Sequence, residues 1–420
     1  MIKRKLLSEL RKHLDKKEIT LLVGPRQAGK TTLLMVLEGE LKRAGEKTAF
    51  FNLDIETDRV NFTSQETLLR KIELEIGKRH GFVFIDEIQR KENAGLFLKG
   101  IYDMNLPYKF IVSGSGSLEL KEKIHESLAG RKRIFELTTL SFTEFADFKT
   151  DYKYEGKLLD FFQIDKIRTK SLLEEYLNFG GYPRVVLLDT IDEKRKAVGE
   201  LYESYLERDI NHLLGIGKTE SFTKLVQVLA SQIGELVNVS ELSSTLSISS
   251  ETVKNYLWYL EKTFLVRRVT PFFKNRRAEI TKSPIYYFQD LGLRNFALQE
   301  LGNATRTSSA GFLFQNFIFN FLFERGSDTA SQIHFWRTKD KAEVDFVLDT
   351  GREIIPIEVK FAELKRPEVT RSLLSFIERY QSPHAFVVHL GEKFERKFAD
   401  MKVDFLPFYR VVEKRLFTTG

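Results

Sequence analysis

The sequence predicts an α/β protein, with a parallel strand–helix–strand core at its N-terminal end and a smaller α/β unit at its C-terminal end. Three observations predict it. Short apolar runs alternate with amphipathic stretches between residues 19 and 140. The segment Gly24-Pro-Arg-Gln-Ala-Gly-Lys-Thr stands where the first of these runs meets the stretch that follows. A second alternation, opening with a strongly apolar helix, begins near residue 305. At 420 residues, 42% of them hydrophobic, the chain exceeds one ordinary core and predicts several domains.

The opening Met1-Ile-Lys-Arg-Lys-Leu-Leu is basic, but Glu9 and Arg11 interrupt it before an apolar stretch develops, so it reads as an amphipathic helix and not a signal peptide. Runs at 19–23, 48–53, 82–85, 110–112 and 134–137 suit buried parallel strands with helices on both faces. Residues 151–216 read as almost entirely helical, broken by Gly180-Gly-Tyr-Pro183. Segments 221–233 and 239–246 suit two short helices, and Ser249-Ser-Glu251 suits the N-cap of a third reaching Lys262. Strand-like runs at 265–273 and 285–288 then flank the basic loop Lys274-Asn-Arg-Arg. Three helices followed by a hairpin is the layout of a winged helix. Beyond residue 305 come a helix at 311–324, a strand at 332–337, a hairpin over 343–361, a helix near 367–380 and a strand at 384–390.

Composition narrows the chemistry. There are no cysteines, which excludes disulfides, thiolate zinc sites and cysteine nucleophiles and fits a reducing cytoplasm. No run is long and uncharged enough for a membrane span, so no membrane partner is expected. The 66 Lys and Arg outweigh 59 Asp and Glu, a net charge of +7 that favours anionic partners such as nucleic acid but also suits an ordinary basic protein.

The glycine-rich segment matches GxxxxGKT between a strand and a helix, the context a phosphate-binding loop requires. Its glycines let backbone N–H groups turn toward phosphate oxygens, and the helix N-terminus adds favourable dipole. The candidate nucleotide-binding residues are Gly24, Pro25, Arg26, Gln27, Ala28, Gly29, Lys30, Thr31 and Thr32. Lys30 would reach the β- and γ-phosphates, and the Thr31 hydroxyl would ligate magnesium. The apolar strand Phe82-Val-Phe-Ile ends in Asp86 and Glu87. Asp86 would hold magnesium through water, and Glu87 would polarise the attacking water. Ser113, at the end of another strand, could sense the γ-phosphate, with Ser115 as the alternative. Arg131 and Arg133 precede the strand at 134–137. There an arginine can reach a neighbour's nucleotide as a finger, or remain a solvated or DNA-facing charge.

Gly24–Thr32, Ile85-Asp-Glu-Ile-Gln89, Ser113-Gly-Ser115, Ala129-Gly-Arg131 and Phe179-Gly-Gly-Tyr-Pro183 together resemble the prokaryotic AAA-type ATPases that carry a C-terminal restriction-endonuclease-like domain. The resemblance covers essentially the whole chain. It implies ATP over GTP, and ring-forming or signalling homo-oligomers.

In the winged-helix region, Lys254 and Asn255 fall on outward positions of the third helix. Arg267, Arg268, Lys274, Arg276 and Arg277 lie on the hairpin, suited to DNA phosphates. Winged helices also dock proteins, and that alternative stays open.

At the C-terminal end, Glu343-Val-Asp345 and Glu353-Ile-Ile-Pro-Ile-Glu358-Val-Lys360 flank a turn. Glu358 and Lys360 share one strand face, and Asp345 on the paired strand would complete two carboxylates beside a lysine. That set can bind magnesium or manganese and generate hydroxide. It resembles the PD-(D/E)xK nuclease core, with one departure: Gln315 stands where that pattern more often has glutamate. A salt-bridged hairpin, or a nuclease fold kept only for binding, is the competing reading.

The expected organisation is a P-loop AAA-type core at 1–150, a helical lid at 151–217, a winged helix at 218–300 and a restriction-endonuclease-like α/β domain at 301–420. The expected function is ATP hydrolysis coupled to DNA binding, with metal-dependent cleavage by Asp345, Glu358 and Lys360. The alternative is a nucleotide-gated interaction or signalling switch with slow hydrolysis and an inactive nuclease-like scaffold.

Overall fold

Five apolar runs near the N-terminus pair in parallel as β1 (Ile19–Gly24), β2 (Thr48–Asn52), β3 (Gly81–Asp86), β4 (Tyr108–Ser115) and β5 (Lys132–Glu136). Their order across the sheet is β2-β3-β4-β1-β5. The computed structural model describes residues 1–115, 128–206, 219–273, 283–326, 331–398 and 401–412. They fall into two compact units. The first is Met1–Leu140 with Tyr182–Arg184 and Trp258–Leu265; the second is Ser141–Gly181 with Val185–Leu257 and Val266–Gly420.

The three central strands β1, β3 and β4 are buried along their whole length, which is why they read as continuous apolar runs, whereas the edge strands β2 and β5 are buried only in part. Val83 and Ile85 pack on one face with Leu21, Phe51 and Phe110. Phe82 and Phe84 pack on the other with Leu22, Ile111 and the helix Lys30–Arg43, through Leu33, Leu34 and Leu37. That alternation follows from the two-residue period of a strand. The amphipathic N-terminal helix Leu6–Lys12 adds Leu10 to the second face. Phe264, far along the chain, joins the first. Because all five strands run the same way, Gly24, Asp86 and Ser113 come out along one edge of the sheet.

The second unit opens with the helix Phe142–Lys149, started by a capping box between Ser141 and Glu144. Phe142 sits among Phe162, Tyr176, Phe317 and Phe408, aromatic side chains drawn from most of this unit's length. The helix Lys166–Phe179 stops at Gly180, which has φ +73° and no room for a side chain. A Cβ there would stand 2.3 Å from Asp290 Oδ1. The Asp290 carboxylate caps the helix Leu291–Ala297 and accepts the Gly181 N–H at 2.8 Å. Asn295 donates to the carbonyls of Leu177 and Asn178, so the Gly-Gly-Tyr-Pro break is a tightly shared helix junction.

Helices Thr219–Ser231, Val239–Leu246 and Ser250–Lys262 precede an antiparallel pair, β6 (Val266–Val269) and β7 (Ile285–Phe288). The basic residues Lys274, Arg276 and Arg277 lie outside the described residues. The C-terminal sheet has β8 (Gln332–Arg337), β9 (Glu343–Asp349), β10 (Ile354–Val359), β11 (His384–His389), β12 (Phe394–Phe398) and β13 (Met401–Pro407), in the order β12-β13-β11-β10-β9-β8. The helix Arg371–Tyr380 covers it with Leu373, Phe376 and Ile377. Among the described residues, no helix is long and apolar enough to cross a membrane.

Candidate nucleotide site and a second carboxylate cluster

The loop between β1 and its helix is shaped by two glycines. A Cβ on Gly24 would sit 2.0 Å from the Leu137 carbonyl oxygen, so only glycine allows β1 this close to the chain leaving β5. Gly29 has φ +96° and its carbonyl accepts the Leu33 N–H, starting the helix. Lys30 is 5% exposed and donates to the carbonyl oxygens of Gly24 (3.1 Å) and Pro25 (2.8 Å), curling back over the loop.

Beside the loop, Asp86 is fully buried at the tip of β3. The Thr31 hydroxyl donates to its Oδ2 at 2.6 Å, and the Ser113 hydroxyl donates to its Oδ1. Ser113 Oγ also accepts the Glu87 N–H at 3.3 Å. Thr31, Asp86, Glu87 and Ser113 thus form one connected chain across the loop helix, β3 and β4. Glu87 itself sits at φ 57°, an uncommon backbone for a residue with a side chain, which turns it off the end of β3. Its carboxylate accepts from the Gln89 amide, while Gln89 Oε1 accepts the Ser115 N–H at 3.2 Å. Ser115 Oγ has no hydrogen-bond partner among the described residues, so Ser113 is the serine engaged with the carboxylates.

Arg131 stands elsewhere. Its carbonyl accepts the Ile19 N–H at the start of β1, and Gly24 ends that strand five residues on. At about 3.3 Å per residue, the arginine lies roughly 16 Å down the sheet from its own phosphate loop. There its guanidinium pairs with Asp103 at 2.8 Å.

The second cluster lies on β9 and β10. Their antiparallel register runs to Ile357 opposite Phe346, and Glu358 and Asp345 are the next residues on the two strands. Asp345 Oδ1 accepts from the Gln315 amide at 3.1 Å, and Oδ2 accepts the Val359 N–H at 2.7 Å. Glu358 Oε1 pairs with Lys360 at 2.9 Å, and Oε2 accepts the Thr370 hydroxyl at 3.1 Å. Burial pushes the Asp345 carboxyl up to about 7; the Val359 N–H opposes that and the Glu358 charge adds to it. Burial acts most strongly on Lys360 and lowers it, but Glu358, Asp345 and Glu343 together outweigh burial and leave it raised. Tyr287, fully buried, is held well above the usual phenol range by burial and then by the Asp345 charge. Among the described residues, no group of three or more His, Asp or Glu is placed to hold a metal ion.

On the antiparallel pair β6–β7, Arg268 is exposed. Arg267 stacks 3.5 Å over the Phe323 ring, so much of its side chain serves packing.

Sequence reasoning brought together Lys30, Thr31, Asp86, Glu87 and Ser113. It assigned no role to Gln89, although Gln89 closes the run Ile85–Gln89. Thr370 carried only a helix-capping signal, and Tyr287 carried none, because its approach to Asp345 depends on long-range packing.

Comparison with known proteins places these features. A family model described as an AAA domain matches residues 16–146. Two domains of unknown function match residues 170–305 and 310–410. A protein of Haemophilus influenzae described as uncharacterized is 26% identical over 385 residues, covering 89% of this chain and 90% of its own. An uncharacterized protein of Methanocaldococcus jannaschii is 24% identical over 407 residues, covering 94% and 88%. Among solved structures, Aeropyrum pernix Orc1 in complex with DNA covers 72% of this chain and 93% of its own at 14% identity, with a TM-score of 0.30. DnaA from Aquifex aeolicus, bound to AMPPCP, covers 61% and 86% at 16% identity, with a TM-score of 0.26. Both of these likenesses are too distant to bear on what this chain does. The phosphate-binding loop, the parallel sheet that carries it and the match over residues 16–146 make the N-terminal part of this chain a P-loop domain of the AAA type.

Proposed function

We propose that the chain binds ATP with magnesium on the loop Gly24–Thr32 and hydrolyses it, and that this turnover is coupled to DNA. The connected chain Thr31–Asp86–Ser113–Glu87 carries the reading. It sets a hydroxyl and a buried carboxylate beside the loop lysine, and leaves the second carboxylate at the strand tip. These are hard oxygen donors, the set magnesium takes. Magnesium held by Thr31 and, through water, by Asp86 would neutralise charge on the phosphates. Lys30 would exchange its two loop carbonyls for phosphate oxygens. Glu87 would orient a water for in-line attack on the γ-phosphorus, with the bond to the β–γ bridging oxygen breaking and ADP leaving. Replacing Glu87→Gln keeps the shape and removes the charge. Hydrolysis should fall about 100-fold or more while nucleotide affinity stays within a few-fold. Turnover unchanged in that variant would sink the assignment.

Arg131 is too far down the sheet to serve its own site, so a role as a finger requires a second copy of the chain. Specific activity should then rise with protein concentration. Constant specific activity across the assembly range would leave Arg131 as the Asp103 partner it is here.

Asp345, Glu358 and Lys360 would take magnesium or manganese and cleave DNA under the same proposal. A second reading is favoured by one observation: each of the four carboxylate oxygens already has a partner from the chain, namely Gln315, Val359, Lys360 and Thr370. Under that reading the domain is a scaffold and the nucleotide gates an interaction. Linear and circular DNA incubated in magnesium and then manganese, with and without ATP, separates the two. Cleavage lost in Lys360→Ala supports the nuclease. No cleavage under any condition, with ATP hydrolysis intact, supports the switch.

A further inference from the structure

Arg4, just ahead of the first helix, reaches into the back of the phosphate loop. Its Nη1 donates to the Ala28 carbonyl at 2.8 Å, and its Nη2 donates to the Thr138 carbonyl at 2.7 Å and the Thr139 carbonyl at 3.3 Å. Ala28 is fully buried, and Leu137, next to Thr138, is the residue against which Gly24 is packed too tightly for a side chain. One guanidinium therefore ties the loop to the chain that leaves β5. A planar fork can hold carbonyls on two segments at once, which a lysine ammonium on a flexible stem does less well.

The consequence lies in the peptide between Ala28 and Gly29. A trans peptide is planar, with its C=O and N–H pointing in opposite directions. Fixing the Ala28 oxygen on Arg4 aims the Gly29 N–H the other way, toward the loop interior, and a charged partner on the oxygen polarises that N–H further. Gly29, at φ +96°, has the backbone freedom to be turned wrongly without such a restraint. We infer that Arg4 is a positioning residue, which orients the Ala28–Gly29 peptide so that the Gly29 amide faces a bound phosphate. This rests on the nucleotide reading given above.

The test uses the full chain with Arg4→Ala and Arg4→Lys, titrated with fluorescent ADP and with a non-hydrolysable ATP analogue. Loop amides address the phosphates shared by both nucleotides. Arg4→Ala should therefore weaken the two by the same factor, about tenfold, with the loss in hydrolysis appearing in KM and little in kcat. Arg4→Lys should fall between, and it remains informative if the alanine variant folds poorly. With glycine-selective 15N labelling, the Gly29 amide resonance should also move in both variants before nucleotide is added. Unaltered affinity for both nucleotides and an unmoved Gly29 resonance would overturn the inference alone. Absence of nucleotide binding by the unaltered chain would instead overturn the reading on which it rests.

Discussion

The two carboxylate pairs of this chain, Asp86 with Glu87 and Asp345 with Glu358, are built from the same residue types and held in opposite ways. Asp86 takes its hydrogen bonds from two hydroxyls, Thr31 and Ser113. A hydroxyl can rotate and become an acceptor or a ligand, so this site can rearrange around a cation at little cost. Asp345 takes its bonds from the Gln315 amide and a backbone N–H; the backbone N–H can only donate, and Gln315 must turn its amide over before it offers an oxygen. Glu358, on the neighbouring strand, is already bonded to Lys360 and Thr370. In the second pair all four oxygens have a partner from the chain. At the two aspartates the kind of donor differs: two hydroxyls at Asp86, an amide and a backbone N–H at Asp345.

The sharpest way to break this contrast is Asp86→Asn. It would present an amide to Thr31 and Ser113 and remove the charge that a cation needs, and hydrolysis should fall about 100-fold or more. Hydrolysis close to the unaltered rate would place the site elsewhere. A smaller effect is expected at Gln89, whose amide holds the Glu87 carboxylate. If that bond restrains Glu87 before nucleotide arrives, Gln89→Ala should raise basal turnover about two- to fivefold by freeing the carboxylate. A fall would make Gln89 part of the productive geometry instead.

At the second pair the expected effects are on stability and its pH dependence. The folded-state pKa of Asp345 is raised from 3.8 to about 7. Between those two values the folded state holds a proton that the unfolded chain has lost, so this group's contribution favours folding at the acid end and declines as pH rises toward 7. Asp345→Asn removes the charge, and Tm should rise by a few degrees at pH 8 and by less at pH 5, where only part of the penalty has set in. Melting curves at the two pH values check this. Magnesium or manganese that raises Tm of the unaltered chain at pH 8, but not of Asp345→Asn, would show the second pair opening to a metal and would blur the contrast.

Much of the first region was legible in the sequence, because its signals are local. The loop, the strand tip Asp86-Glu87 and Ser113 each sit at the end of a short apolar run, and parallel strands bring such ends to one edge without further information. Gln89 and Arg4 were not legible. Their roles depend on where a flexible side chain reaches, across from β4 in one case and from the N-terminal segment to residue 28 in the other. In the second region the side on which Asp345 lies relative to Glu358 was only a condition, whereas the hairpin followed from strand period and turn chemistry. The last two strands did not: Phe-Glu-Arg-Lys-Phe in β12 is a charged edge strand, whose sequence resists the apolar pattern by which buried strands are recognised. The helix Leu291–Ala297 and its tie to Gly180 through Asp290 also arise from packing between distant segments.

The smallest expected effect concerns DNA. Arg268 is exposed on β6, whereas Arg267 is committed to Phe323. Arg268→Ala should weaken duplex binding about two- to threefold and flatten its salt dependence by roughly one unit of slope. Binding that ignores salt altogether would place the DNA surface elsewhere or remove it from the account.

The most direct test of the central claim is magnesium-dependent ATP hydrolysis by the purified full chain, set beside Lys30→Ala at equal concentration. The account predicts turnover that needs magnesium in the unaltered chain and is lost in Lys30→Ala, since Lys30 is the loop residue that would reach the β- and γ-phosphates. Equal hydrolysis by the two proteins would contradict it.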